Sequence, residues 1–177
     1  SSDGTIMQYN KVVDIEATKD GQAFDVDINC RDTLIEYNWS QCNGNGFLLL
    51  CSTDKAVPGT SGVIVRNNIS IDDGGNEALF KFVSDVRDVT IQNNAFLNSF
   101  DGTRKFMHTW RPKENKVWTL DVFFTGNIFS TPGVLVYEEV SFVVPTFAGN
   151  TYAGEFRHWP ADSDGISTKY PAARIQQ

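Results

Sequence analysis

The 177 residues include 22 acidic and 15 basic side chains, for a formal net charge of −7, and 41% are hydrophobic. That balance argues against a disordered chain, and the lack of a basic run disfavours nucleic acid, whose phosphates need clustered Lys and Arg. Polyanions such as polygalacturonate are disfavoured too unless a cation bridges the charges, and no apolar run reaches the ~18 residues of a membrane-crossing helix. Ser1-Ser2-Asp3-Gly4 lacks the basic and apolar regions of a signal peptide. The chain therefore reads as an excised module, residues 1–177, long enough for a single domain with its own core.

The first element, Thr5-Ile6-Met7-Gln8-Tyr9-Asn10, is a short strand ending at a corner, since Asn tolerates a left-handed bend better than most residues. The phrase returns as Thr33–Asn38, Val63–Asn68, Val89–Asn94, Val122–Asn127 and Pro145–Asn150. The closing asparagines are spaced by 28, 30, 26, 33 and 23 residues, so the six copies define a repeat. Three positions before each Asn stand Met7, Ile35, Val65, Ile91, Phe124 and Phe147, one inward apolar row. Two positions before it, Gln8, Glu36, Arg66, Gln92, Thr125 and Ala148 form a mostly polar row that faces water. Four positions before it, the row Ile6, Leu34, Ile64, Thr90, Phe123 and Thr146 is too apolar for alternation alone to explain.

A second strand follows each corner after a loop: Ala23–Ile28, Gly46–Cys51, Ala78–Val83, Lys105–Trp110 and Gly133–Tyr137, with Phe156–Trp159 a weaker sixth. In the first of these, Phe24, Val26 and Ile28 point inward, so Asp25 and Asp27 emerge together on the outer face. There they could hydrogen-bond sugar hydroxyls, or chelate calcium with Asp14 or Asp20 nearby, or form a merely solvated acidic face. Lys81 falls on the same face two coils later, and His108 joins the ligand-binding candidates. Neither His108 nor His158 has the spacing of a metal site or a catalytic triad.

Trp39 follows the Asn38 corner, where other copies carry Lys11, Ile69, Ala95, Ile128 and Thr151, a position too variable for pure core. Trp110 and Trp118 bracket the polar loop Arg111–Lys116 of the longest repeat. Indole rings stack on the apolar C–H faces of sugars, and the same rings equally serve to seal a coil edge. Trp159 and Tyr170 fit a C-terminal cap that covers exposed strand edges. Cys30, Cys42 and Cys51 lack a zinc spacing and leave one disulfide plus a thiol, or three thiols, open.

Nothing reads as a long amphipathic helix. A unit of ~28 residues with one inward row cannot bury its core alone, but copies stacked in register pair in parallel with their neighbours. With the right-handed crossover usual for parallel strands, the expected fold is all-β: a right-handed parallel β-helix (solenoid) of about six coils. Residues 5–155 form the repeats and 156–177 a cap or tail. An antiparallel sandwich would leave the recurring Asn unexplained.

Asp20–Asp27, Tyr37–Ser40, Gly46–Cys51, Val65–Ser70 and Asp72-Asp73-Gly74 together resemble the right-handed β-helix families of carbohydrate-active proteins. In size the chain is similar to a β-helix carbohydrate-binding module of a xylan-degrading enzyme. The resemblance implies a bacterial, secreted protein that handles plant cell-wall polysaccharide. Polygalacturonase-like relatives carry a Gly-His-Gly segment, which this chain lacks, and Arg174-Ile175-Gln176 is its nearest approach to their Arg-Ile-Lys. Asp72-Asp73 followed by Gly74-Gly75 reads better as a turn than as a paired-carboxylate site.

The expectation is a non-catalytic module that binds a neutral plant polysaccharide, most plausibly xylan, while tethered to a glycoside hydrolase. Asp25, Asp27 and Lys81 supply hydrogen bonds, Trp39, Trp110 and Trp118 supply stacking, and His108 is a further ligand-binding candidate. No cofactor is required, calcium at Asp25 and Asp27 being the one considered, and neither nucleic acid nor membrane is a partner. The alternative is a truncated lyase or hydrolase that uses the acidic patch.

Overall fold

The structure, a computed structural model, describes residues 2–52, 59–110, 120–137, 145–162 and 164–168. Among them are strands but no helix. Strands β1 (Ile6–Gln8), β2 (Lys11–Val13) and β3 (Gln22–Val26) make the first repeat. The next two repeats follow as β4 (Leu34–Glu36), β5 (Trp39–Gln41), β6 (Gly46–Cys51), then β7 (Thr60–Arg66), β8 (Ile69–Ile71), β9 (Phe80–Val83). The fourth contains β10 (Val86–Gln92), β11 (Ala95–Leu97), β12 (Thr103–Lys105) and β13 (Met107–Trp110). Then come β14 (Leu120–Thr125), β15 (Ile128–Val136), β16 (Thr146–Ala148), β17 (Thr151–Arg157) and β18 (Ile166–Thr168).

These strands form three sheets. The first runs β1-β4-β7-β10-β14-β16, the second β2-β5-β8-β11-β15-β17-β18 with β12 also on β15, and the third β3-β6-β9-β13. Every pairing and bridge among the described residues is parallel. Each strand thus pairs with its counterpart one repeat away, as the spacing of the asparagines requires. The inner faces meet in one aromatic core. Phe47 of the third sheet lies edge-on to Phe96 of the second at 5.4 Å, and Phe80 of the third to Phe124 of the first at 5.1 Å. Within the second sheet Phe96, Phe129 and Tyr152 stack from coil to coil at 5.3 and 5.6 Å. Burial of each such ring contributes roughly 1.5–3 kcal/mol.

Several expectations need correction. The short strands directly after each Asn, β2, β5, β8 and β11, were not anticipated, and they build the second sheet. Gly133–Tyr137 and Phe156–Trp159 do not extend the third sheet. The first falls mainly in β15 and the second partly in β17, because those strands run on from the corner without an intervening loop, past a register shift between Ser130 and Val134. Ile28 is 39% exposed rather than inward, because β3 stops at Val26 and the chain turns through Asn29 at φ 60°. Apart from these corrections, Trp159 packs partly buried against the core, its ring 4.6 Å from that of Phe106, and Tyr170 lies outside the described residues. The apolar row ahead of the corners does face outward, with Ile6 at 60% and Phe123 at 42% exposure.

The left-handed bend also falls one residue earlier than expected. Tyr9, Tyr37, Asn67, Asn93, Gly126 and Gly149 take φ between 55° and 66°, and the following asparagines do not. That frees each following Asn to point inward. The backbone N–H and Nδ2 of Asn38 both donate to Asn68 Oδ1 at 2.9 Å, and those of Asn68 do the same to Asn94. The chain of bonds runs on through Asn127 to Asn150. Each Nδ2 also reaches a carbonyl of the preceding coil, as Asn94 does to Val65 O at 3.0 Å. The ladder ends on a carboxylate. Asp162 accepts from Asn150 N and Nδ2 at 3.1 and 2.8 Å, from Gly149 N at 2.8 Å and from the Tyr152 hydroxyl at 2.9 Å. An acceptor-only group suits the last rung, where no further Oδ1 is available to receive a donated proton.

Burial tends to raise the Asp162 carboxyl, but the bonds from Asn150, Tyr152 and Gly149 outweigh it and lower the pKa below its ordinary value. A lowered folded-state pKa stabilises the fold above the unfolded value and loses that contribution as pH falls through the folded one. Asp162→Asn should therefore flatten the decline in melting temperature below about pH 4. Asn94→Ala strands the Asn68 donors in a dry interior, and urea unfolding should show a loss of about 3 kcal/mol.

Candidate functional site

The third sheet carries the outward side chains singled out in the sequence. Its inward rows are Phe24-Leu48-Phe80-Met107 and Val26-Leu50-Phe82-Thr109, so the residues between them face outward. One outward row reads Asp25-Leu49-Lys81-His108 across neighbouring strands. A second reads Cys51-Val83-Trp110, with Asp27 just beyond the end of β3. The strands enter the face through tight turns. At Gly46 the φ is 129°, and a Cβ would stand 2.2 Å from the Ala78 carbonyl oxygen, so only glycine fits.

A groove of about 880 Å³ runs along this face. Leu49, Lys81, Val83, His108 and Trp110 lie along it, and Ala17–Asp20, Asn45, Asn76 and Glu77 wall it from the segments that precede the strands. Glu77 is its hub. One carboxylate oxygen accepts from His108 Nδ1 at 2.9 Å and from Lys81 Nζ at 3.0 Å, and the other accepts from Gln22 Nε2 at 3.4 Å. With Nδ1 engaged, Nε2 is the imidazole nitrogen left for a ligand. Trp110, 56% exposed, offers its ring at the end of the same row. Among the described residues that line the groove the charged groups balance: Lys19 and Lys81 against Asp20 and Glu77.

Desolvation, then the neighbouring charges of Asp27 and Asp20, push the Asp25 carboxyl up to about 6 against the pull of Lys81. Desolvation also leads at Cys51, whose thiol is raised to about 12, with Asp27 adding to it. Cys30, Cys42 and Cys51 are all free thiols. Among the described residues no three His, Cys, Asp or Glu side chains converge where a metal could sit.

Asp25, Lys81, His108 and Trp110 are thus brought to one face, with Asp27 at its edge. Trp39 is not among them. It sits in β5 of the second sheet, 37% exposed, with Nε1 donating to Gln41 Oε1 at 3.3 Å. Trp118 and the loop Arg111–Lys116 lie outside the described residues. Asp72 and Asp73 are both engaged in hydrogen bonds between repeats. Asp72 holds Ser99 N and Oγ at 2.6 and 2.7 Å. Asp73 accepts from the Ser40 and Ser70 hydroxyls on one oxygen and from Asn43 N and Nδ2 on the other. Burial raises its pKa. Sequence reasoning missed Glu77, because Gly74-Gly75-Asn76 reads as a turn and a carboxylate after it as ordinary turn polarity.

No family model, curated protein or solved structure matches this chain.

A carboxyl whose folded pKa is raised favours the fold when protonated, so its penalty is absent below the unfolded value near 3.9 and grows as pH rises through about 6. Asp25 is exposed, and solvent screening leaves less than about 1 kcal/mol. Asp25→Asn should be the more stable protein at pH 7 by that amount, with the difference vanishing below about pH 4 in paired urea melts.

Proposed function

We propose that the three parallel sheets close into a right-handed β-helix of about six coils that binds a neutral plant cell-wall polysaccharide, with xylan the first choice, through the third-sheet groove. The observation that carries this reading is the convergence of an exposed indole, Trp110, with the Glu77-Lys81-His108 cluster in one elongated groove. Sugars need both parts: an apolar ring face to stack against and fixed donors and acceptors for hydroxyls. The balanced charge of the described lining favours an uncharged polymer over a polyuronate, whose carboxylates would meet Asp20 and Glu77. A groove that follows the stacking direction suits a linear chain better than a small molecule. In this reading the protein is an extracellular bacterial module tethered to a glycoside hydrolase, and it raises the enzyme's local substrate concentration.

One observation favours catalysis as a second reading. Asp25, raised to about 6, is suited to hand a proton to a glycosidic oxygen near neutral pH, and it stands on the same outward row as Lys81 and His108, which line the groove. The two readings part on product formation. Binding alone requires retardation in native gels containing xylan, with no reducing ends or unsaturated products released.

Trp110→Ala should lower xylan affinity roughly tenfold and leave folding stability within about 0.5 kcal/mol, as expected for an exposed ring. Unaltered retardation in that variant would remove the groove from the account. Product release that disappears in Asp25→Asn would establish the catalytic reading instead.

A further inference from the structure

The residues just ahead of the ladder asparagines form a second column on the outside of the corner between the first and second sheets. Their side chains shrink along the stack, from Tyr9 and Tyr37 through Asn67 and Asn93 to Gly126 and Gly149. The rings of Tyr9 and Tyr37 stack with centroids 5.5 Å apart and planes 8° from parallel, and they are 73% and 48% exposed. Tyr9 therefore covers one face of Tyr37. The other face looks toward the next coil, where Asn67 is too short to fill the equivalent space. A recess of about 450 Å³ opens there, lined by Tyr37, Asn67, Asn93, Gly126, Ile69 and Ile128 among others, and among the described residues no charged one lines it.

The two asparagines of the recess differ from the ones beside them. The amides of Asn68 and Asn94 are spent within the ladder, on the next Asn and on carbonyls. Those of Asn67 and Asn93 make no hydrogen bond to any described residue. Gly126 leaves room for one of them, since a Cβ there would stand 2.6 Å from Asn93 Oδ1. An aromatic face thus overlooks two uncommitted amides, one coil apart, which lie close to the ~4.8 Å spacing of adjacent strands.

We propose that this recess is a second binding site, for a pyranose ring of an uncharged glycan, with its C–H face on Tyr37 and its hydroxyls on the amides of Asn67 and Asn93. A charged ligand would find no counter-charge to offset its desolvation. An apolar peptide side chain would cover the tyrosine but leave both amides without partners. A sugar ring satisfies both, because its faces are apolar and its rim is hydroxylated. Tyr9 braces the ring from behind and acts as a positioning residue. The site lies at the corner of the first two sheets, away from the third-sheet groove, and does not depend on it.

The test is a titration of the 177-residue chain with hexasaccharides of xylose, glucose and mannose, and with oligogalacturonate as the charged control, followed in proton–nitrogen spectra. The side-chain NH₂ signals of Asn67 and Asn93 should shift with at least one uncharged hexasaccharide and not with oligogalacturonate. Tyr37→Ala should weaken that response roughly tenfold. Asn67→Gly, which removes the amide yet keeps the left-handed backbone, should weaken it as well, whereas Trp110→Ala should leave it intact. Each variant's melting temperature confirms that it is folded. Silence at both amides with all three uncharged sugars would overturn the proposal. So would shifts confined to Lys81 and His108, an equal response to oligogalacturonate, or undiminished affinity in Tyr37→Ala.

Discussion

The hydrogen bonds that link one asparagine to the next set the register of the whole molecule. A parallel strand pair slipped by one residue would send its apolar row to solvent, and short strands of three residues, such as β1 and β4, have few ladder bonds to resist that. The Asn column supplies the missing constraint. Each amide accepts two protons from one coil and returns its own to the next Asn and to a carbonyl of the preceding coil. In the dry interior every one of these groups is costly to leave unpaired, so only one alignment of the coils satisfies them all.

That alignment has consequences on the surface. Because successive repeats pair in parallel and in register, a residue type at a given offset becomes a column, and columns become faces. On the third sheet this brings Lys81 and His108 from successive coils beside each other, with Glu77 bonded to both. At the corner it stacks Tyr9 on Tyr37 and then leaves a step where the side chains shorten. A repeat that stayed uniform would give a flat wall; the departures from uniformity create the groove and the recess.

The periodicity was readable because it is one-dimensional: six asparagines at nearly even spacing mark the corner without knowledge of any partner. The inward row followed by simple alternation, and Asp25 and Lys81 were placed on one face for the same reason. What could not be read depends on where strands stop. β3 ends before Ile28, and β15 continues through Gly133 where a loop and a new strand were expected. Short strands such as Trp39–Gln41 carry too few residues to show a period, so the sequence does not reveal that Trp39 lies on the second sheet and not with the third-sheet row. Glu77 escaped notice because its role comes from two residues that reach back to it from the strands, Lys81 in its own coil and His108 in the next.

The inter-coil amide column is most directly tested by hydrogen exchange at the side-chain NH₂ groups of Asn68, Asn94 and Asn127. If those groups hold the coils in register, their protons should exchange as slowly as the backbone amides of β10, opening only with global unfolding. Rapid exchange at all three while β10 stays protected would mean that the sheets align without them, and the account of both surfaces would lose its foundation.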